Sequence, residues 1–190
     1  MTAERTALKE WAVMVDALGA GDIICIVRKG GIRDRRGFAL RHDRFVFYPT
    51  RFHQSTDLLA EHLVSRVSRS HEAMAPEGHV RIEYIARTAM TSAVTDISQL
   101  PAVQHELGLS PSAVHSRFFY REPGLTLAAL RVERLRSPIV VPEIRRYTGC
   151  VSWLELDAEI PCDYDDVTPV IGESEFQERL RALAPLLANN

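Results

Sequence analysis

The sequence predicts an α+β fold: a small, mostly antiparallel sheet, able to curl into a partly open barrel, with flanking helices. Three observations predict it. Strand-like apolar runs mostly follow one another, at 23–27, 44–48, 79–86 and 125–135. Helical stripes stand at the two ends and in the middle rather than alternating with strands. A chain of 190 residues suits one domain, residues 1–190, and buries about two-thirds of its unfolded surface without staples.

Residues 4–18 place Leu8, Trp11, Val15 and Leu18 on one stripe and are predicted as an amphipathic helix, ended by Gly19 or Gly21. The unbroken run Ile23-Ile24-Cys25-Ile26-Val27 reads as a strand covered on both faces. It stops at Arg28-Lys29-Gly30-Gly31, where glycine frees the backbone to turn. Residues 37–42 and 44–48 read as a hairpin closed by Pro49. A helix is predicted over 55–68, with Leu58, Leu59, Leu63 and Val67 inward, followed by a polar loop to Gly78. Val80, Ile82, Tyr84 and Ala86 alternate with polar residues as a strand should. A short helix is expected between Ser98 and Leu107, and Ser110-Pro111 opens another with a cap and a first-turn proline. Residues 125–135 form a strand, 139–141 a proline-flanked edge, and 150–156 a further strand. Residues 157–173 read as an acidic loop. Ser174-Glu175-Phe176-Gln177 has the capping-box pattern, opening a C-terminal helix over 174–188 that docks through Phe176, Leu180, Leu183 and Leu187.

Composition narrows the class. No apolar run approaches the ~20 residues of a membrane span, and no export signal is seen at the N-terminus, so the expected location is the cytoplasm. Cys25, Cys150 and Cys162 form no Cys-x-x-Cys pair, and the seven histidines show no ligand spacing. No metal or cofactor is therefore expected. Net charge is −2 but unevenly spread. From Arg28 to Arg51 eight basic residues face Asp34 and Asp43, and from Ser152 onward nine acids face Arg179 and Arg181. Such polarity can concentrate an anionic partner on one side. Alternatively, the acidic tail simply folds over the basic strands. Only Lys9 and Lys29 are lysines among 23 basic residues.

Two stretches could carry chemistry. In Arg28-Lys29-Gly30-Gly31-Ile32-Arg33, backbone amides freed by glycine and flanked by cations could hold phosphate. The spacing is neither a Walker loop nor a dinucleotide fingerprint, and a plain glycine turn with solvated arginines is the competing reading. In Tyr48-Pro49-Thr50-Arg51-Phe52-His53-Gln54 a hydroxyl, a guanidinium, an imidazole and an amide follow an apolar strand end, the usual layout of a site on a rigid scaffold. Helix capping and a buried tyrosine would explain it equally. Neither a serine elbow nor the acid-x-lysine core of a restriction nuclease is present, since valine precedes Arg28-Lys29. Arg145-Arg146-Tyr147 with Trp153 could stack a nucleotide, or pack a strand end.

Ala7-Leu8-Lys9-Glu10-Trp11-Ala12, Arg28-Lys29-Gly30-Gly31-Ile32-Arg33, Tyr48-Pro49-Thr50 with His53-Gln54, Leu130-Arg131-Val132 and Ser152-Trp153-Leu154-Glu155-Leu156 together resemble the bacterial family catalogued as domain of unknown function 1802. The resemblance spans residues 7–156. Members joined to a restriction-type nuclease domain imply a DNA-linked role by association. The order Trp11, Gly19 or Gly21, Arg28, Lys29 is also similar to small RNA-binding barrels of the pseudouridine-synthase-associated and ASCH types, without the glutamate that the ASCH pattern places between lysine and arginine.

The resulting expectation is a nucleic-acid or nucleotide-phosphate binding module, to which hydrolysis could be added. Lys29 and Arg33 would hold phosphate, supported by Arg28, Gly30 and Gly31; Tyr48, Thr50, Arg51, His53 and Gln54 would contact the rest. The first alternative is an enzyme acting on a small anionic metabolite, with His53 as general base and Lys29 as electrostatic stabiliser. The second is a non-catalytic protein-interaction domain.

Overall fold

The computed structural model describes residues 3–29, 42–51, 55–149, 151–183 and 186. The chain begins with a strand, β1 (Ala3–Trp11), and only then forms a helix, α1 (Ala12–Ala20). The helical spacing of Leu8 and Trp11 is overridden because β1 is paired along both edges. It runs parallel to β3 (Arg44–Thr50) and antiparallel to β6 (Trp153–Pro161). Two hydrogen-bond ladders outweigh a propensity difference of well under ~1 kcal/mol per residue. Ala7 and Leu8 are both fully buried, on opposite faces, as a strand covered on both sides requires. α1 is buried almost all round, so its sequence shows little amphipathic signal.

β2 (Cys25–Arg28), β4 (His79–Val94) and β5 (Leu125–Pro142) complete the main sheet in the order β2-β5-β4-β3-β1-β6, and β7 (Val167–Pro169) joins beside β5. The architecture is α+β, and the strand path among the described residues is open rather than a closed barrel. β4 and β5 are each longer than the sequence suggests and pair from His79↔Pro142 to Val94↔Leu125. Pro138 does not divide β5 because the ladder skips there, from Ile139 opposite Ile82 to Arg134 opposite Tyr84. The segment 139–141 is an edge as expected: among the described residues it pairs with β4 on one side only.

The helix predicted over 55–68 is broken into a 3-10 turn at Thr56–Leu58 and two short helices, α2 (Glu61–Val64) and α3 (Arg66–Glu72). α4 (Pro111–Phe118) starts as anticipated, with the Ser110 hydroxyl accepting from the Ala113 amide. α5 (Glu173–Ala182) follows Gly172, and no side-chain cap bond forms at its start, so the capping-box pattern is not used. Part of the expected acidic loop is strand, since β6 runs to Pro161 and β7 lies at 167–169.

Three apolar clusters hold the elements. One lies under α1, with Leu8, Leu18, Phe45, Phe47 and Tyr84. A second joins β2 and β5 to α4, the 3-10 segment Ile97–Leu107, Phe176 of α5, and Leu183 and Leu186 beyond it. The third, on the other sheet face, packs Val46 and Tyr48 against Tyr147, Leu154 and Ile160. The acidic segment from Ser152 onward does meet arginines: Asp157 pairs with Arg146, and Glu173 with Arg131 at 3.3 Å. Arg179 binds Glu106 through two nitrogens, at 2.7 and 2.6 Å.

Candidate functional site

A groove opens where two neighbouring strands part. β3 and β4 pair only from Arg44↔Arg87 to Val46↔Ile85, while β1 continues to pair with β3 as far as Trp11↔Thr50. Beyond Val46 the β4 side of β3 has no ladder to serve. Pro49, which lacks an amide hydrogen, is therefore tolerated inside the strand instead of ending it. The space between the parted ends is about 430 Å³, within the range of small-ligand sites. Thr50 and Arg51 line one side, and Glu77, Gly78 and His79 with Glu143 line the other.

Local bonds hold the walls. Arg51 donates to the His71 carbonyl at 3.1 Å and to the Met74 sulfur at 2.8 Å, tying the end of β3 to the turn after α3. The Glu143 amide donates to the Gly78 carbonyl at 2.8 Å, which fixes Glu143 on the rim. His79 Nδ1 lies 3.4 Å from the Glu77 carbonyl; a carbonyl can only accept, so the proton of this contact sits on Nδ1.

Behind Glu143 stands Tyr48, 1% exposed. Its hydroxyl has no partner in good hydrogen-bond geometry among the described residues, although the Glu143 carboxylate faces it. Burial raises this phenol far above the ordinary tyrosine range, and the charge of Glu143 adds to the rise. The Tyr147 ring meets Tyr48 edge-on at 6.0 Å. Lys9 Nζ stands 5.8 Å from the Tyr48 ring centroid and donates to the Gly149 carbonyl at 3.1 Å.

The other predicted stretch divides at its second residue. Arg28 reaches back to β1, donating to the Lys9 carbonyl at 2.5 Å and pairing with Glu10 at 2.8 Å. It is thereby linked through Lys9 to Tyr48. Lys29 turns to the end of α4 instead. Its ammonium donates to the carbonyls of Phe118 at 2.9 Å, Gly124 at 2.7 Å and Glu122. Three donors meet three acceptors, so Lys29 is committed to holding the loop 118–124. Burial lowers its ammonium, while the charge of Glu122 raises it. Gly30, Gly31, Arg33, His53 and Gln54 lie outside the described residues, and with them any joint site of Lys29 and His53.

Of the predicted site residues, then, Thr50 and Arg51 line the groove, Tyr48 stands behind it, and Arg28 connects to it through β1. Lys9, Glu77, His79 and Glu143 were not anticipated. No local motif marks them, because the groove exists only where the β3–β4 ladder stops, between segments far apart in sequence. Arg145-Arg146-Tyr147 with Trp153 had two readings, nucleotide stacking or strand-end packing; the Tyr147 hydroxyl accepts from the Asp157 amide at 2.7 Å and Arg146 pairs with Asp157, which fits the packing reading. Cys25 and Cys162 are buried, and burial raises both thiols, as expected of core sulfurs. Among the described residues no group of three His, Cys, Asp or Glu side chains could hold a metal ion. No described helix is long and apolar enough to cross a membrane.

These features describe an α+β protein whose open sheet presents a polar groove at its strand ends. The chain belongs to the family described as "Domain of unknown function (DUF1802)", whose model matches residues 7–182. No curated protein matches it. Among solved structures it is similar to ASCH from Zymomonas mobilis, with 15% identity, 94% of each chain covered and a TM-score of 0.47. It is similar as well to a serine-to-alanine mutant of that protein, with 14% identity over 96% of this chain and 99% of that one, at a TM-score of 0.48.

Proposed function

We propose that the protein is a nucleic-acid or nucleotide-phosphate binding module of the cytoplasm, with the groove between the ends of β3 and β4 as its ligand site. The observation that supports this reading is the groove itself. It has the volume of a nucleotide-sized ligand, and its walls offer two kinds of partner. Arg51, with further N–H groups beyond the two it spends on His71 and Met74, supplies charge for a phosphate. Glu77 and Glu143 are acceptors suited to the amino edge of a base, and the Thr50 hydroxyl serves as donor or acceptor. The alternative of an enzyme acting on an anionic metabolite rests on Lys29 and His53 acting together. With Lys29 committed to three carbonyls, no observation favours it.

The test is a titration of a fluorescent single-stranded oligonucleotide and of a labelled nucleotide at several salt concentrations. Saturable binding should weaken as salt rises, with a slope near −0.7 per phosphate held. Arg51→Ala should lower that slope by about one contact, and Glu143→Gln should change base preference rather than the slope. Binding that is absent at low salt, or indifferent to both substitutions, would remove the groove from consideration.

A further inference from the structure

The loop that Lys29 fastens presents a feature the groove does not use. Phe119 and Tyr120, which follow α4, are 48% and 55% exposed, whereas the other exposed large apolar side chains among the described residues are valines. A polar side chain accompanies each ring. The Arg121 guanidinium lies 5.1 Å from the Tyr120 centroid, and the His115 ring is tilted against Phe119 at 4.7 Å. Phe118, immediately before them, is buried in the second apolar cluster and anchors the pair.

The backbone is held for this display. Besides the three bonds from Lys29, the Gly124 amide donates back to the Phe118 carbonyl at 3.1 Å and closes the loop. Arg121 has φ of 66°, the only non-glycine residue with positive φ among the described residues. A side chain in that region costs about 1 kcal/mol or more and persists where the surroundings demand it. Here it carries the guanidinium over the neighbouring ring. The loop leads into β5 at Leu125, opposite Val94, which is the end of β4 away from the groove. Arg117 covers Trp11 at 4.9 Å, and Trp11 is the residue that pairs with Thr50.

We propose that Phe119 and Tyr120 form a stacking platform for unpaired bases of a single-stranded nucleic acid, with Arg121 and His115 contacting its backbone; this deepens and rests on the nucleic-acid reading above. Every base has a π face, so such a platform tolerates sequence while requiring that bases be free of a duplex. Charge complementarity favours this occupant: the Arg121 guanidinium beside the exposed rings suits the phosphates of a polyanion whose bases meet the rings. Because the loop is fixed in advance, little ordering cost opposes binding.

The experiment measures anisotropy of a labelled oligothymidylate of about 15 nucleotides with the full chain, against its duplex form. Phe119→Ala and Tyr120→Ala should each weaken single-strand binding by about tenfold or more with the salt slope unchanged. Phe119→Leu and Tyr120→Leu should do the same, because they keep apolar volume and lose the π face. All four substitutions alter solvent-facing side chains and should leave the melting temperature unaltered. If the wild-type chain binds the single strand and these variants bind it equally, the platform is refuted while the groove reading survives. The platform is refuted equally if only the alanine variants lose a self-association seen by sedimentation, since the loop then serves a protein contact. If Arg51→Ala is without effect but the loop variants lose affinity, the platform stands and the groove reading fails. A wild-type chain that binds no single strand at all overturns both.

Discussion

Replacing Lys29 with methionine keeps most of the apolar stem and removes the ammonium. Three carbonyls, of Phe118, Glu122 and Gly124, then lose their common donor. A hydrogen bond to a charged group contributes about 1.5–3 kcal/mol. The three here do not add, because the bond to Glu122 is exposed and water can replace it. A net loss of about 2 kcal/mol is therefore expected. For a chain of this length each kcal/mol moves the midpoint by about 2–4 °C, so Lys29→Met should melt about 4–8 °C below wild type. Lys29→Arg should fall between the two, since a planar guanidinium cannot converge on three carbonyls as a tetrahedral ammonium does. Circular-dichroism melting reads the shift, and limited proteolysis locates the loosening at 118–124. A midpoint within about 1 °C of wild type, joined to a loss of oligonucleotide binding, would refute this reasoning and return Lys29 to the role of ligand cation.

Arg179→Met should cost about 3 kcal/mol, because it strands Glu106 at a site where that side chain is only 15% exposed; thermal melting should show part of the loss recovered when Glu106→Gln is added. Gly19→Ala should destabilise by about 1–2 kcal/mol in urea unfolding: a methyl there overlaps the Tyr84 ring, and overpacking outweighs the gain of about 1 kcal/mol in helix propensity. Tyr48→Phe should leave the melting temperature within about 2 °C of wild type or raise it, since the lost hydroxyl is buried without a well-formed bond; a large fall would show that Glu143 holds it firmly. His62 is lowered from its ordinary value of 6.5 by partial burial and by the stacked His105 ring, 4.3 Å away. The unfolded chain therefore takes up a proton at higher pH than the folded one. Stability is full above about pH 6.5 and falls as pH drops toward the folded value, and His62→Gln should flatten that fall in urea titrations below pH 6.5.

Much of the strand content was legible, and for a simple reason. Strands such as the start of β4 have one face buried and one solvated, so Val80, Ile82 and Tyr84 announce themselves by alternation. The α4 start was legible too, because Ser110 and Pro111 act on their own neighbours. β1 was not. Its nine residues carry a helical stripe, and their strand state comes from ladders with residues about 40 and 150 positions away. The long β4–β5 pair was cut short for a related reason: Pro138 reads as a break unless one knows that β5 bulges there against a continuous β4.

The candidate site divides along the same line. Sequence alone determined that polar groups crowd the end of an apolar strand at Tyr48, Thr50 and Arg51, because that change of character is local. It also determined that Lys29 stands apart in an arginine-rich chain. Only the tertiary structure decided what these residues face. The groove depends on where a ladder between two strands stops, and the commitment of Lys29 depends on carbonyls about 90 residues later in the chain. Hydrogen bonds and open space of this kind belong to pairs of distant segments, and the residues of one segment carry no record of them.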